Sequence, residues 1–227
     1  MALLSDQDRQ TVRERLAAIQ RPVTLLFFTQ TIGAPESAYV TRRVLDELVS
    51  LNDRLSLEEV SLVLDRERAA QYGIDDIPAV VLLRDDGVDT RIRFLGAPAG
   101  YEFMSLIEAA VLAGTDDSGL SANARALVSE HVSEPLDIRV FVTPTCPHCP
   151  RAVTLAHRLA VEHPQIRATC VEATEFMDLS RRYNVTGVPK TVVNDSIEIL
   201  GALPEDQFVR SVVGAPPADD SPDLEND

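Results

Sequence analysis

Phe141-Val142-Thr143-Pro144-Thr145-Cys146-Pro147-His148-Cys149-Pro150 is the stretch that decides how this chain is read. An apolar, β-like run from Ile138 to Val142 leads into it. Behind it, Ala152, Leu155, Ala156, Leu159 and Ala160 recur at the spacing of one helix face. The two cysteines therefore stand where a strand ends and a helix begins. Unpaired backbone N–H groups and the positive end of the helix dipole stabilise an anion there. For cysteine that anion is the thiolate, the form that attacks disulfides. Two intervening residues let the pair close into a small ring. Cys146 and Cys149 can thus switch between dithiol and disulfide and move two electrons to or from other cysteines. Cys146, at the helix start, is expected to be the nucleophile and the more exposed. Cys149, one turn in, is expected to resolve the mixed disulfide.

Working outward, the chain repeats itself. Thr24-Leu-Leu-Phe-Phe-Thr-Gln-Thr31 parallels Ile138-Arg-Val-Phe-Val-Thr-Pro-Thr145. Tyr72-Gly-Ile-Asp-Asp-Ile-Pro78 parallels Tyr183-Asn-Val-Thr-Gly-Val-Pro189, and Phe94-Leu-Gly-Ala parallels Ile199-Leu-Gly-Ala. The copies are offset by about 105 to 114 residues, close to a usual domain size. Each copy reads as helix, strand, helix, strand, helix, strand, strand, helix. In the first, Ser5 with Asp8 forms a capping signal, and Val40, Val44, Leu48 and Leu51 mark a helical stripe. Asp85-Asp86-Gly87 is a hairpin turn signal. Gly114 to Gly119 has linker composition, and Ser121 caps the lead-in helix of the second copy. The expected boundaries are a first domain at 1–114, a second at 115–214 and an acidic, disordered tail at 215–227.

Composition excludes several function classes. Among 227 residues, 36 acidic and 21 basic side chains give a net charge of −15, which disfavours nucleic acid and anionic membrane faces as partners. No apolar run is long enough for a transmembrane helix. The N-terminal residues lack the basic and apolar regions of a signal peptide, so a cytoplasmic location is expected. Three cysteines are too few for a disulfide scaffold. A structural zinc site wants four ligands, and beyond the pair only Cys170 and the scattered His148, His157 and His163 could contribute. No metal or organic cofactor is expected.

The strand–Cys-x-x-Cys–helix unit, Val188-Pro189 before a hairpin, and a final amphipathic helix resemble the thioredoxin fold. The doubling resembles the two-domain, glutaredoxin-like protein disulfide oxidoreductases, in which each unit usually carries a Cys-x-x-Cys. The similarity extends to Gly96-Ala-Pro-Ala-Gly100-Tyr-Glu-Phe103 at the end of the first unit. It implies an α/β fold of two tandem thioredoxin-like domains, each a central mixed β-sheet flanked by helices. It also implies thiol–disulfide exchange with protein disulfide substrates, and a flavoprotein disulfide reductase as upstream donor. One departure is large. Ile32 and Pro35 occupy the first unit's cysteine positions, so that unit is expected to be chemically silent.

The resemblance also assigns the neighbours of the pair. The matching proline, Pro189, is cis in this fold and packs beside the cysteines, leaving Val188 to pair with an extended substrate strand. His148 is expected to tune the Cys146 thiol, as the Cys-Pro-His-Cys sequence matches strongly oxidising members of the superfamily, against the alternative of a solvent-exposed residue in a variable dipeptide. Pro147 is expected at the first helical position, with Pro150 less easily placed. Lys190, the chain's only lysine, is a charge favouring the thiolate, a group acting in proton transfer, or an ordinary surface lysine. Glu172 or Glu175 is a candidate acceptor for the Cys149 proton, against the alternative of a solvated rim. Cys170 reads as a buried, inert residue. Two rival functions stand beside the general oxidoreductase. One is an electron-transfer module dedicated to a peroxiredoxin or flavoprotein. The other is a peptide-binding or chaperone protein with an incidental dithiol.

Overall fold

The computed structural model describes residues 4–115 and 117–217. The expected disorder at the C-terminus falls mostly outside them. The element order is α1 (Asp6–Leu16), β1 (Val23–Thr29), α2 (Glu36–Val49), β2 (Leu55–Ser61), α3 (Arg66–Tyr72), β3 (Ala79–Arg84), β4 (Asp89–Leu95) and α4 (Glu102–Ala113), followed by the same series again. The second series is α5 (Ala122–His131), β5 (Leu136–Val142), α6 (Cys149–Glu162), β6 (Ile166–Glu172), α7 (Met177–Arg182), β7 (Lys190–Val193), β8 (Ile197–Leu200) and α8 (Glu205–Val213). Local signals act as read from the sequence. Ser5 and Ser121 cap α1 and α5 by accepting the N–H of Asp8 and Ala124. One expected position differs: Val44, Leu48 and Leu51 are buried, but Val40 is exposed, and α2 also buries Ala38, Thr41 and Leu45.

The eight strands form one sheet in the order β2-β1-β3-β4-β6-β5-β7-β8. Each half has the same internal order, parallel in its first pair and antiparallel through its hairpin. The halves join where β4 runs parallel to β6, with Ile92, Arg93, Phe94 and Leu95 opposite Ala168, Thr169, Cys170 and Val171. The expected pair of central sheets is thus one continuous sheet. Alternation along the strands sorts side chains between two faces. Leu25, Phe27, Val80, Leu82, Phe94, Ile138 and Val140 enter one core that also contains residues of α1, α2, α4, α5, α6 and α8. Leu26, Phe28, Val81 and Leu83 face α3, and Phe141, Val171 and Val192 face α7.

The join is reinforced on the first face. Helix α4 packs on α6. The Arg91 guanidinium donates to the carbonyls of Ala160 (2.6 Å), in the last turn of α6 where the helix leaves its acceptors unpaired, and of Ile166 (3.2 Å), at the start of β6. Phe94 meets the ring of His157 edge-on, with centroids 5.1 Å apart. Because β1, β4, β5 and β6 are all parallel, their C-terminal ends share one edge of the sheet. The Cys-x-x-Cys loop and its silent counterpart at residues 30–35 both lie along that edge.

Candidate active site

Cys146 and Cys149 form a disulfide with their Cα atoms 5.5 Å apart. Cys146 lies in the turn leaving β5, where its N–H donates to the Thr143 carbonyl (3.1 Å). Cys149 is the first residue of α6. Cys146 is 7% exposed and Cys149 fully covered. Their order of exposure is as expected, although Cys146 is more enclosed than anticipated. The proline assignment needs correction. His148 is the N-cap of α6, which puts Pro147 before the helix and Pro150 in its first turn. A first-turn residue has no intrahelical acceptor for its N–H, so proline costs little there. His148 is exposed, and its ring makes no hydrogen bond or ion pair among the described residues.

Val188-Pro189 is a cis peptide, as is Ile77-Pro78 in the first unit. The two loops are held alike: Gly201 N–H donates to the Pro189 carbonyl and Gly96 N–H to the Pro78 carbonyl, each at 2.9 Å. Val188 is half-buried and packs against the core that holds both cysteines. Among the described residues its N–H and C=O make no intramolecular hydrogen bond. They remain available for an extended segment laid alongside.

Lys190 is not an ordinary surface lysine. The residue is only 2% exposed, and alternation along β7 puts it on the α7 face with Val192, whereas Thr191 and Val193 point to the cysteine side. Its Nζ donates to the carbonyls of Tyr183 (2.6 Å) and Asn184 (3.3 Å) and pairs with Glu198 (2.9 Å). The ammonium group therefore closes the C-terminal end of α7. Glu172 and Glu175 are not a solvated rim either. Buried Glu172 accepts from the N–H and hydroxyl of Thr174 and the N–H of Glu175, holding its own turn. Glu175 accepts the N–H of Ala97 at 2.9 Å, from the opposite unit.

That contact belongs to a feature invisible to motif reading. The loop at residues 96–101 of the first unit braces the active-site loop of the second. Tyr101 N–H donates to the Pro144 carbonyl at 2.9 Å, two residues before Cys146. Gly100 has φ +61°, and a β-carbon there would lie 2.2 Å from the Pro144 oxygen. Only glycine fits both the conformation and the approach.

The loop also delivers a residue that sequence reasoning missed. Glu102, at the start of α4, is 1% exposed. Its Oε2 accepts from Ser105 Oγ (2.6 Å) and from the Cys170 thiol (3.7 Å), and its Oε1 is buried without a hydrogen-bond partner among the described residues. Burial pushes its carboxyl up to about 7, with the Ser105 and Cys170 hydrogen bonds opposing only in part. Cys170 belongs to the same core as Cys146 and Cys149. Its own thiol is raised well above the ordinary value by burial and then by the Glu102 charge, which fits the expected inert role. A first-turn acidic residue looks like a helix-dipole partner in sequence. The available signal was its place directly after the Gly96–Tyr101 block.

Residues 136–214 match the thioredoxin domain family. The N-terminal domain of alkylhydroperoxide reductase AhpF from Enterococcus faecalis superposes with a TM-score of 0.85 at 27% identity, over 92% of this chain and 99% of that one. A protein disulfide oxidoreductase from Aeropyrum pernix superposes with a TM-score of 0.83 at 28% identity, over 92% of each chain. This chain belongs to the thioredoxin superfamily. By sequence it is 26% identical over 166 residues to the F component of alkyl hydroperoxide reductase from Xanthomonas campestris, covering 73% of this chain and 29% of that protein. It thus spans less than a third of the length of that relative. Fold, neighbours and the Cys146–Cys149 disulfide together place it among the thioredoxin-fold oxidoreductases. Among the described residues no helix is long and apolar enough to cross a membrane.

Proposed function

We propose that this oxidoreductase acts on protein disulfides in the cytoplasm, relaying electron pairs from a flavoprotein disulfide reductase to a peroxiredoxin. The observation that carries the reading is the Cys146–Cys149 disulfide beside the free backbone of Val188. The names of the alkyl hydroperoxide reductase relatives support a peroxide-reducing system over a general role.

In the reduced protein, the Cys146 thiolate attacks one sulfur of the acceptor's disulfide. The acceptor's S–S bond breaks, its second sulfur leaves as a thiolate and takes up a proton, and a mixed disulfide remains. Cys149 then loses its proton and attacks the Cys146 sulfur. The first acceptor sulfur leaves and is protonated in turn. The acceptor has gained two electrons and two protons, and Cys146–Cys149 is again the disulfide. Two electrons from the reductase restore the dithiol. We assign the Cys149 proton to Glu102, whose carboxyl accepts from Cys170 in the core that holds the pair and is raised by burial to about 7, within reach of neutral pH. Pro147 and His148, both exposed, are the side chains that an arriving partner meets first.

The test uses single-cysteine variants. Cys146→Ser abolishes disulfide reduction. Cys149→Ser, lacking the resolving thiol, accumulates a covalent adduct with the acceptor that mass spectrometry detects. An active Cys146→Ser protein, with no adduct from Cys149→Ser, would reverse the role assignment. Equal rates with insulin and with a peroxiredoxin would favour a general oxidoreductase over a dedicated relay.

A further inference from the structure

A groove of about 440 Å³ runs along α6, away from the redox pair. Its floor is a stripe of that helix, from Pro150 and Arg151 through Leu155 to Arg158. Pro150 follows Cys149 directly, and the helix rises about 12 Å from Pro150 to Arg158. One wall is Met104 and Glu108 of α4, from the silent unit. The other is Leu203 and Glu205, where the chain enters α8. Leu203 lies just beyond Gly201, whose N–H holds the Pro189 carbonyl. The groove therefore opens beside both the cysteines and the Val188 loop, where a partner's chain must lie for its disulfide to be attacked.

Its surface is mainly apolar. Met104 is 48% exposed, and Pro150, Leu155 and Leu203 are half-buried. Its charges are not equally free. Glu108 is taken by the Arg15 guanidinium through two hydrogen bonds. Glu205 accepts the Ser121 N–H at 3.0 Å and faces Arg158 at 3.9 Å. Arg151, in the first turn of α6, is exposed and has no ion-pair or hydrogen-bond partner among the described residues.

We propose that this groove, built jointly by the two units, seats the segment of the acceptor next to its attacked cysteine and selects one that is apolar and carries a carboxylate for Arg151. The proposal rests on the thiol–disulfide reading above and deepens it to substrate choice. An unpaired guanidinium beside apolar surface leaves a charge for the partner to match and penalises a like charge placed there. At about 3.4 Å per residue, an extended chain covers the groove in about four residues. The carboxylate belongs at the near end of these, because Arg151 stands close behind Cys149, and the apolar residues follow. The thiol-free unit thereby gains a task, since Met104 supplies apolar wall that the redox unit lacks.

The test uses the full reduced chain and peptides whose single cysteine is held in a mixed disulfide with thionitrobenzoate. Attack by Cys146 and closure of the Cys146–Cys149 disulfide release the coloured thiolate and the peptide thiol. One peptide carries Glu-Leu-Val-Leu leading away from the cysteine, in two versions with the segment on either side. A second has lysine for the glutamate, and a third has serines for the apolar residues. At about 0.15 M salt, charges more than about 8 Å away are screened. In one of the two versions, the glutamate peptide should half-saturate at roughly threefold lower concentration than the lysine one, as one exposed ion pair allows. That preference opposes the chain's net charge of −15 and so reports a local cation. The serine peptide should need about tenfold more than its apolar counterpart. Arg151→Glu should invert the preference between glutamate and lysine. Met104→Asp should remove most of the apolar advantage. Val88→Asp, an exposed substitution at the turn between β3 and β4, should keep both ratios. Ratios taken within one protein cancel any general change in Cys146 reactivity. Equal half-saturation of the glutamate and lysine peptides, a preference unmoved by Arg151→Glu, or an apolar advantage unmoved by Met104→Asp would overturn the groove alone. No release from any peptide would overturn the redox reading and this proposal with it.

Discussion

Replacing Glu102 with glutamine should make the protein's stability much less dependent on pH in the range between about 4.5 and 7. The carboxyl is buried and raised from the ordinary 4.5 to about 7. Below about 4.5 it is neutral in both folded and unfolded chains, and burial of the neutral group is retained in full. As pH rises from 4.5, the unfolded chain ionises while the folded one stays protonated, so stability falls. Above about 7 both states are ionised and the loss is complete. At about 1.36 kcal/mol per pH unit, the gap corresponds to roughly 3 kcal/mol. That is a large part of the stability of an ordinary domain. Glutamine keeps an acceptor for Ser105 and does not titrate. Urea denaturation of the disulfide form at pH 4.5, 6 and 8 would give the stability difference between the two proteins. The expected result is a difference that moves by about 3 kcal/mol in favour of glutamine from the lowest to the highest pH. A difference independent of pH would refute the burial argument, because no other change at this position titrates in that window.

Two further outcomes test the contact between the units. Gly100→Ala combines a left-handed backbone position with a β-carbon 2.2 Å from the Pro144 oxygen; it should cost at least about 1–3 kcal/mol and change the rate at which the Cys146–Cys149 disulfide is reduced, read by denaturation and by thiol trapping. His157 is fully covered against Phe94, both ring nitrogens lack hydrogen-bond partners among the described residues, and burial lowers its pKa to about 3. Its neutral form is therefore favoured in the folded state. That contribution is full above the ordinary value of about 6.5 and is lost as pH falls towards 3, at up to about 1.4 kcal/mol per pH unit. His157→Phe should flatten the acid limb of the stability profile, and an unchanged limb would show that the ring is already hydrated.

The sequence made the element order, the doubling and the redox pair legible because each has a local signature. Periodicity marked α6, serines marked the starts of α1 and α5, and Cys-x-x-Cys carried its chemistry in four residues. The join of the two halves had no such mark. Strands β4 and β6 are ordinary apolar strands, and parallel pairing across distant segments leaves no turn between them to read. Lys190 misled for a related reason. A lone lysine on a strand is usually solvated, and its partners, the Tyr183 and Asn184 carbonyls, are backbone groups that no motif displays. Glu102 was hidden because burial by the opposite unit, not its own neighbours, makes it unusual. Pro147 and Pro150 exchanged roles through a shift of the helix start by a few residues, the kind of boundary that composition defines poorly.

The parallel pairing of β4 with β6 also limits how electrons can be handed on. A hinge between two separate bodies would let the redox loop swing from donor to acceptor. Here the halves share backbone hydrogen bonds across Ile92 to Leu95, the Arg91 clamp on α6 and one core, so the disulfide is fixed like a contact on a rigid plate. On the proposed relay, reductase and acceptor take turns at the same spot. Whatever movement alternates them has to come from the visitors or from tethers that hold them, and the turnover rate should follow their exchange.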